Sequence, residues 1–177
     1  MNKGGKTSAR ISPCGKFRYC LYREGLQEMP VARTLVFVML NPSTADAEQD
    51  DPTIRRCKSF AVSHGYSAIA VVNLFAYRAT DPTELRQAGY PIGPDNDDYL
   101  GVMPLMYCDF VCAWGANAPT DRAVRVARQI QRDGGRLWCL GTPRAGHPRH
   151  PLYVPGDTRL ERWSPDMLVG KNNRLTA

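Results

Sequence analysis

Four short apolar runs limit what this chain can become. They are TLVFVML (34–40), AIAVVNLF (68–75), DFVCAWG (109–115) and RLWCLG (136–141). Most are rich in β-branched and aromatic residues, the composition of strands covered on both faces. Helical segments separate them. Asp51 caps one, with Pro52 in its first turn and His64-Gly65 at its end. Asp81-Pro82 opens a second and Gly89 closes it. A third spans 94–107 against the resistance of Pro104. The fourth, 120–135, has Asp121 as its expected cap and an apolar stripe of Val124, Ala127 and Ile130. Strand and helix therefore alternate, and the expected fold is α/β: a three-layer sandwich around a mainly parallel central sheet. Ahead of it, ISPCGKFRYCLYRE (11–24) forms an N-terminal β-hairpin around Cys14-Gly15-Lys16. Residues 1–9 are expected to be a flexible tail and 10–177 a single domain. Beyond Thr142, Gly, Pro, His and Arg force little regular structure.

A chain of 177 residues with 43% hydrophobic content buries a real core. No apolar run approaches the roughly 20 residues of a membrane span, and the basic N-terminus lacks the apolar segment of a signal peptide. A cytoplasmic protein that makes no membrane contact and has no obligate protein partner is expected. The formal charge of +6 and the pI of about 9.1 favour a polyanionic partner such as DNA or a nucleotide. The six cysteines form no CxxC pair and no zinc-site spacing, so free thiols in a reducing compartment are expected.

In open α/β sheets ligands bind beyond the carboxyl ends of the strands. Four polar loops leave those ends: LNPSTAD, VNLFAYRATDP, CAWGANAPTD and CLGTPRAGHPRHP. Asn41 either ends its strand as a turn residue or holds a water nucleophile with its amide oxygen. Asp46 is the second candidate for that water, since a carboxylate also accepts the proton. Pro42 and Ser43 lie between them on the substrate side. Asn73 follows an almost unbroken apolar run, and a buried amide needs partners: neighbouring backbone, or the donor–acceptor edge of a base. Phe75 and Tyr77 are either core or a stacking face. His147 and His150 sit among prolines, without the helical geometry of a metal pair. Such a histidine suits proton transfer or stabilisation of a leaving group. Arg78, Arg144 and Arg149 are candidates for phosphates. The P-loop, dinucleotide-binding glycine and serine-elbow motifs are absent.

LNPSTADAEQDDPTIRRC and NLFAYRATDP, with WG and HPLY further on, resemble a bacterial and phage family catalogued as a domain of unknown function. The resemblance runs from about Phe17 to Tyr153. More distantly the chain is similar to the uracil-DNA glycosylase superfamily, one branch of which ends its first strand in Asn-Pro. That similarity implies a water-positioning role for Asn41, a base-reading role for Asn73, and a catalytic role for His150 in a final His-Pro loop. It implies no metal and no cofactor. The superfamily's Gly-rich stretch after the first motif is acidic here, which leaves the base open. The expected function is a monofunctional, metal-independent DNA glycosylase that hydrolyses the N-glycosidic bond of a flipped-out modified or damaged base. The phage association makes a phage-modified base, and antiviral defence, part of that expectation. The alternatives are a hydrolase or transferase of free nucleotides or nucleosides on the same fold, and a non-catalytic nucleic-acid-binding module.

Overall fold

The computed structural model describes residues 6–43, 45, 48–144 and 146–172. The chain folds as an α/β protein on one seven-stranded sheet, in the order β1-β2-β4-β3-β5-β6-β7. The four apolar runs supply its centre: β3 (Thr34–Met39), β4 (Ala68–Asn73), β5 (Asp109–Cys112) and β6 (Arg136–Cys139). These strands run parallel, in the order β4-β3-β5-β6.

The whole sheet is mixed rather than mainly parallel. β1 (Thr7–Ile11) and β2 (Arg18–Glu24) form the expected hairpin, and β2 joins the outer edge of β4 antiparallel. At the other side β7 (Glu161–Arg162) pairs antiparallel with β6. Two exposed residues carry no periodicity, so β7 left no mark in the sequence. β1 begins at Thr7, inside the stretch expected to be a tail, because pairing with β2 holds it.

Helices cover both faces. α1 (Pro52–Ser63) buries Ile54, Cys57, Phe60 and Ala61 against Leu35, Phe37, Ile69 and Val71. On the opposite face lie α2 (Pro82–Gln87), α3 (Asn96–Met106), α4 (Thr120–Arg132) and α5 (Asp166–Asn172). There Leu85, Leu100, Val126, Ile130 and Leu168 pack on Val36, Val38 and Val72. Asp51 and Asp81 cap α1 and α2 as expected, accepting hydrogen bonds from the backbone N–H of Ile54 (2.8 Å) and Thr83 (2.7 Å). Asp121 does not cap α4. Pro119 holds the cap position, and Asp121 lies inside the first turn, where its charge still suits the helix dipole. Among the described residues no helix is long and apolar enough to cross a membrane.

The parallel register aligns the strand ends. Met39 lies opposite Asn73, Val38 opposite Cys112, and Cys112 opposite Cys139. The four loops expected to carry the chemistry therefore leave one edge together.

At the opposite edge Asp109 ties β5 to β6. Its carboxylate accepts two hydrogen bonds from the Arg136 guanidinium (2.9 and 2.8 Å) and one from Trp138 Nε1 (2.9 Å). Burial opposes ionisation of this carboxyl, but the bonds from Arg136, Trp138 and Tyr66 outweigh burial and hold its pKa below the ordinary 3.8. Arg136 is half exposed, so solvent screens the ion pair; the stranded donors dominate the cost of losing the carboxylate. Asp109→Asn is expected to destabilise the fold by about 1–3 kcal/mol at neutral pH. A depressed folded-state pKa gives stability that is complete above the unfolded value and lost as pH falls through the folded one. Urea denaturation should show the gap between wild type and Asp109→Asn narrowing in acid; a gap independent of pH would contradict this account.

Candidate active site

A cavity of about 420 Å³ opens beyond the carboxyl ends of the parallel strands. Its walls come from the loops after β3, β4, β5 and β6, from the start of α1, and from the first residue of β2. Backbone hydrogen bonds zip these loops together. Leu74 and Phe75 N–H donate to the carbonyls of Met39 (2.9 Å) and Leu40 (3.0 Å), and Ala79 N–H to that of Pro42 (2.9 Å). Gly115 N–H donates to Pro148 (3.0 Å) and Arg149 N–H to Gly141 (3.0 Å).

Asn73 ends β4 and lines the cavity with a side chain of 0% exposure. Among the described residues neither its Oδ1 nor its Nδ2 has a hydrogen-bond partner. A buried, unsatisfied amide costs about 1–3 kcal/mol, so this one needs a water, an ion or a ligand to satisfy it. Its backbone, by contrast, is firmly held. Asn96 Nδ2 of α3 donates to the carbonyls of Asn73 (3.0 Å) and Leu74 (3.3 Å), and Arg122 Nε of α4 donates to Leu74 (2.9 Å).

Asn41 lines the same cavity. Its Nδ2 donates to the carbonyls of Ala79 (2.8 Å) and Pro42 (3.1 Å). These bonds orient the amide and leave Oδ1 without a protein donor among the described hydrogen bonds. Ser43 lines the cavity too, and its hydroxyl donates to Asp51 Oδ2. Pro42 is buried beneath the loop and does not line the cavity. Asp46 lies outside the described residues.

His150 comes from the loop after β6 and stands at the head of the short 3-10 turn Pro151–Tyr153. Its Nδ1 accepts from Leu152 N–H (3.3 Å), which leaves the proton of the neutral ring on Nε2. Burial pushes its pKa below the ordinary 6.5, and the charge of Asp51 partly opposes that shift. Arg56 of α1 clamps the turn from below, donating to the carbonyls of Pro151 (3.3 Å) and Val154 (2.5 Å).

The aromatic expectations need correction. Phe75 is core. β4 ends at Asn73, and the chain bends so that Leu74 and Phe75 both enter the opposite face; Phe75 meets Tyr90 at 5.1 Å. Tyr77 packs edge-on against Phe17 (6.1 Å) and lines an adjoining depression of about 310 Å³. Arg78 lines that depression with Lys16, and donates to the Gly15 carbonyl (3.2 Å). Arg149 is exposed on the cavity wall, whereas Arg144 is exposed and outside it.

Three lining residues, Arg18, Trp114 and Asp51, escaped the sequence reading as site groups, and His147, read there beside His150, lines the cavity too. Arg18, 2% exposed, donates to the Ala45 carbonyl (2.5 Å), and its Nε has no partner among the described residues. Burial lowers its pKa to about 10, with Asp51 opposing, so it stays charged at neutral pH. Trp114 lines the cavity, and its buried indole N–H has no partner among the described residues. His147 places Nε2 3.4 Å from Thr120 Oγ1, has no partner at Nδ1 among the described residues, and has a pKa lowered by burial. Asp51 was legible only as a helix cap. A buried arginine in a strand and a tryptophan at a strand end were the available signals. Among the described residues no three of His, Cys, Asp or Glu converge as a metal site.

The fold and cavity thus define an α/β protein with a pocket at its strand ends whose wall carries unsatisfied polar groups among the described residues. Residues 18–152, more than half of the chain, match the family described as a protein of unknown function, DUF1643, and the chain belongs to that family. No curated protein and no solved structure matches it.

Nuclear magnetic resonance titration of the histidines checks the electrostatics. His147 and His150 are both expected to titrate below 6.5, with His150 in the Nε2–H form. A midpoint for His150 above the ordinary value would overturn the burial assigned to it.

Proposed function

We propose that this protein is a DNA N-glycosylase that hydrolyses the bond between deoxyribose and a flipped-out modified or damaged base. The observation that carries the reading is Asn73, a wholly buried amide in the cavity wall whose donor and acceptor find no partner among the described residues. One donor beside one acceptor is the pattern that reads the edge of a base. Asn41 and His150 share the cavity, as the resemblance to uracil-DNA glycosylases requires, and the fold is read as a relative of theirs.

The target nucleotide leaves the stack at a cost of a few kcal/mol. Asn73 holds the base, with the Trp114 indole N–H as a further donor. The glycosidic bond loosens and charge builds on the departing base. Neutral His150 meets that charge with Nε2–H, which suits it better than a cation competing with solvent. Asn41, pinned through Nδ2, holds the attacking water with Oδ1. Arg149 on one side, and Lys16 with Arg78 on the other, grip the flanking phosphates. No step calls for a metal or cofactor. A phage-modified base as substrate, and antiviral defence as purpose, are part of the proposal.

Genomic DNAs of different base composition and modification, incubated with the protein, are expected to release one free base detectable by mass spectrometry and to gain alkali-labile abasic sites. Asn73→Ala and His150→Ala should each reduce release by about 10²-fold or more. Action on mononucleotides but not on DNA would move the protein to the nucleotide-hydrolase alternative. DNA binding without base release would make it a binding module.

A further inference from the structure

We propose that Asp51, beyond capping α1, is the general base that takes the proton of the attacking water. This rests on the glycosylase reading above. Among the described residues Asp51 is the only carboxylate lining the cavity. An ionised carboxylate has about four acceptor sites. Ile54 N–H (2.8 Å) and the Ser43 hydroxyl occupy one on each oxygen, which fixes the group and leaves acceptor capacity for a water.

The other groups nearby serve this role less well. The Asn41 amide holds a water but cannot accept its proton. The Nδ1 of His150 already accepts from Leu152, and Nε2 bears the proton. Asp51 also stands within electrostatic reach of both Arg18 and His150. Its negative charge therefore acts inside the cavity and also stabilises the positive charge that develops on the sugar.

The step balances without a further reactant. Water oxygen bonds to C1′ as the C1′–N bond breaks, and the bonding pair leaves with the base. Asp51 receives the water proton. The base anion, held by His150 Nε2–H, is protonated from solvent, and Asp51 returns its proton to solvent. The products are the free base and a C1′ hydroxyl on abasic DNA.

The cap role makes the test clean. Asn caps helices as well as Asp, so Asp51→Asn keeps the bond to Ile54 and removes the basic oxygen. Asp51→Ser, a second capping residue, separates charge from local folding. The substrate is a duplex carrying the base that wild type releases best from the panel of genomic DNAs. Both variants are expected to fold and to bind DNA, with a lowered Tm because buried Arg18 loses its counter-charge, while kcat falls by about 10²–10⁴-fold. The acid limb of the kcat/KM profile, which reports the base, should vanish with them. Wild-type rates in both variants would overturn the role of Asp51 and leave the glycosylase reading intact. A reduced rate with an unchanged acid limb would also overturn it. Failure of wild type to release a base from any DNA would overturn the glycosylase reading and this inference together.

Discussion

The carbonyls of Asn73 and Leu74 are held by side chains. Asn96 reaches them from α3 and Arg122 from α4, and the guanidinium of Arg122 is balanced by Asp97 at 2.5 Å. Asn96 is wholly buried and Arg122 nearly so. Two helices on one face of the sheet thus fix the strand end whose amide opens on the other. Without those donors the two carbonyls would be short of partners, and an unanswered amide would be free to turn toward them. The rigidity of the backbone is what lets the side chain stay unsatisfied.

The cavity has a second constraint, a charge balance. Arg18 enters from the hairpin strand and remains protonated although buried; Asp51 enters from the head of α1. A buried cation survives where an anion and carbonyl oxygens answer it. Here the Ala45 carbonyl and the field of Asp51 do so. This explains why an N-terminal hairpin belongs to a site otherwise built from the parallel strands. β2 pairs with β4 and carries Arg18 to the cavity.

Much of this was legible in the sequence because the central strands are buried on both faces and their periodicity is unambiguous. The Asp-Pro caps of α1 and α2 and the loops bearing Asn41, Asn73 and His150 could be read in the same way. Phe75 could not be placed, since the bend after Asn73 sends two successive residues to one face and defeats strand alternation. Arg18 was hidden by its company. Alternation in a hairpin predicts a wet face, but here both faces of β2 are covered at Arg18. Asp51 was read correctly as a cap, and that adequate local explanation concealed its exposure to the cavity. β7 and α5 lay in a segment whose prolines and glycines outweighed any periodic signal.

α1 does two jobs about one turn apart. Its cap residue, Asp51, faces the cavity, and Arg56 grips the carbonyls of Pro151 and Val154 beside His150. One rigid rod thus sets the distance between the wall made by the first loop and the wall made by the last. A helix advances about 100° and 1.5 Å per residue. A single residue inserted between 51 and 56 would turn cap and clamp out of phase, even if every helical hydrogen bond re-formed. The spacing within α1 is therefore a ruler for the cavity. It couples two loops that lie about a hundred residues apart in the chain and that pack against a common helix.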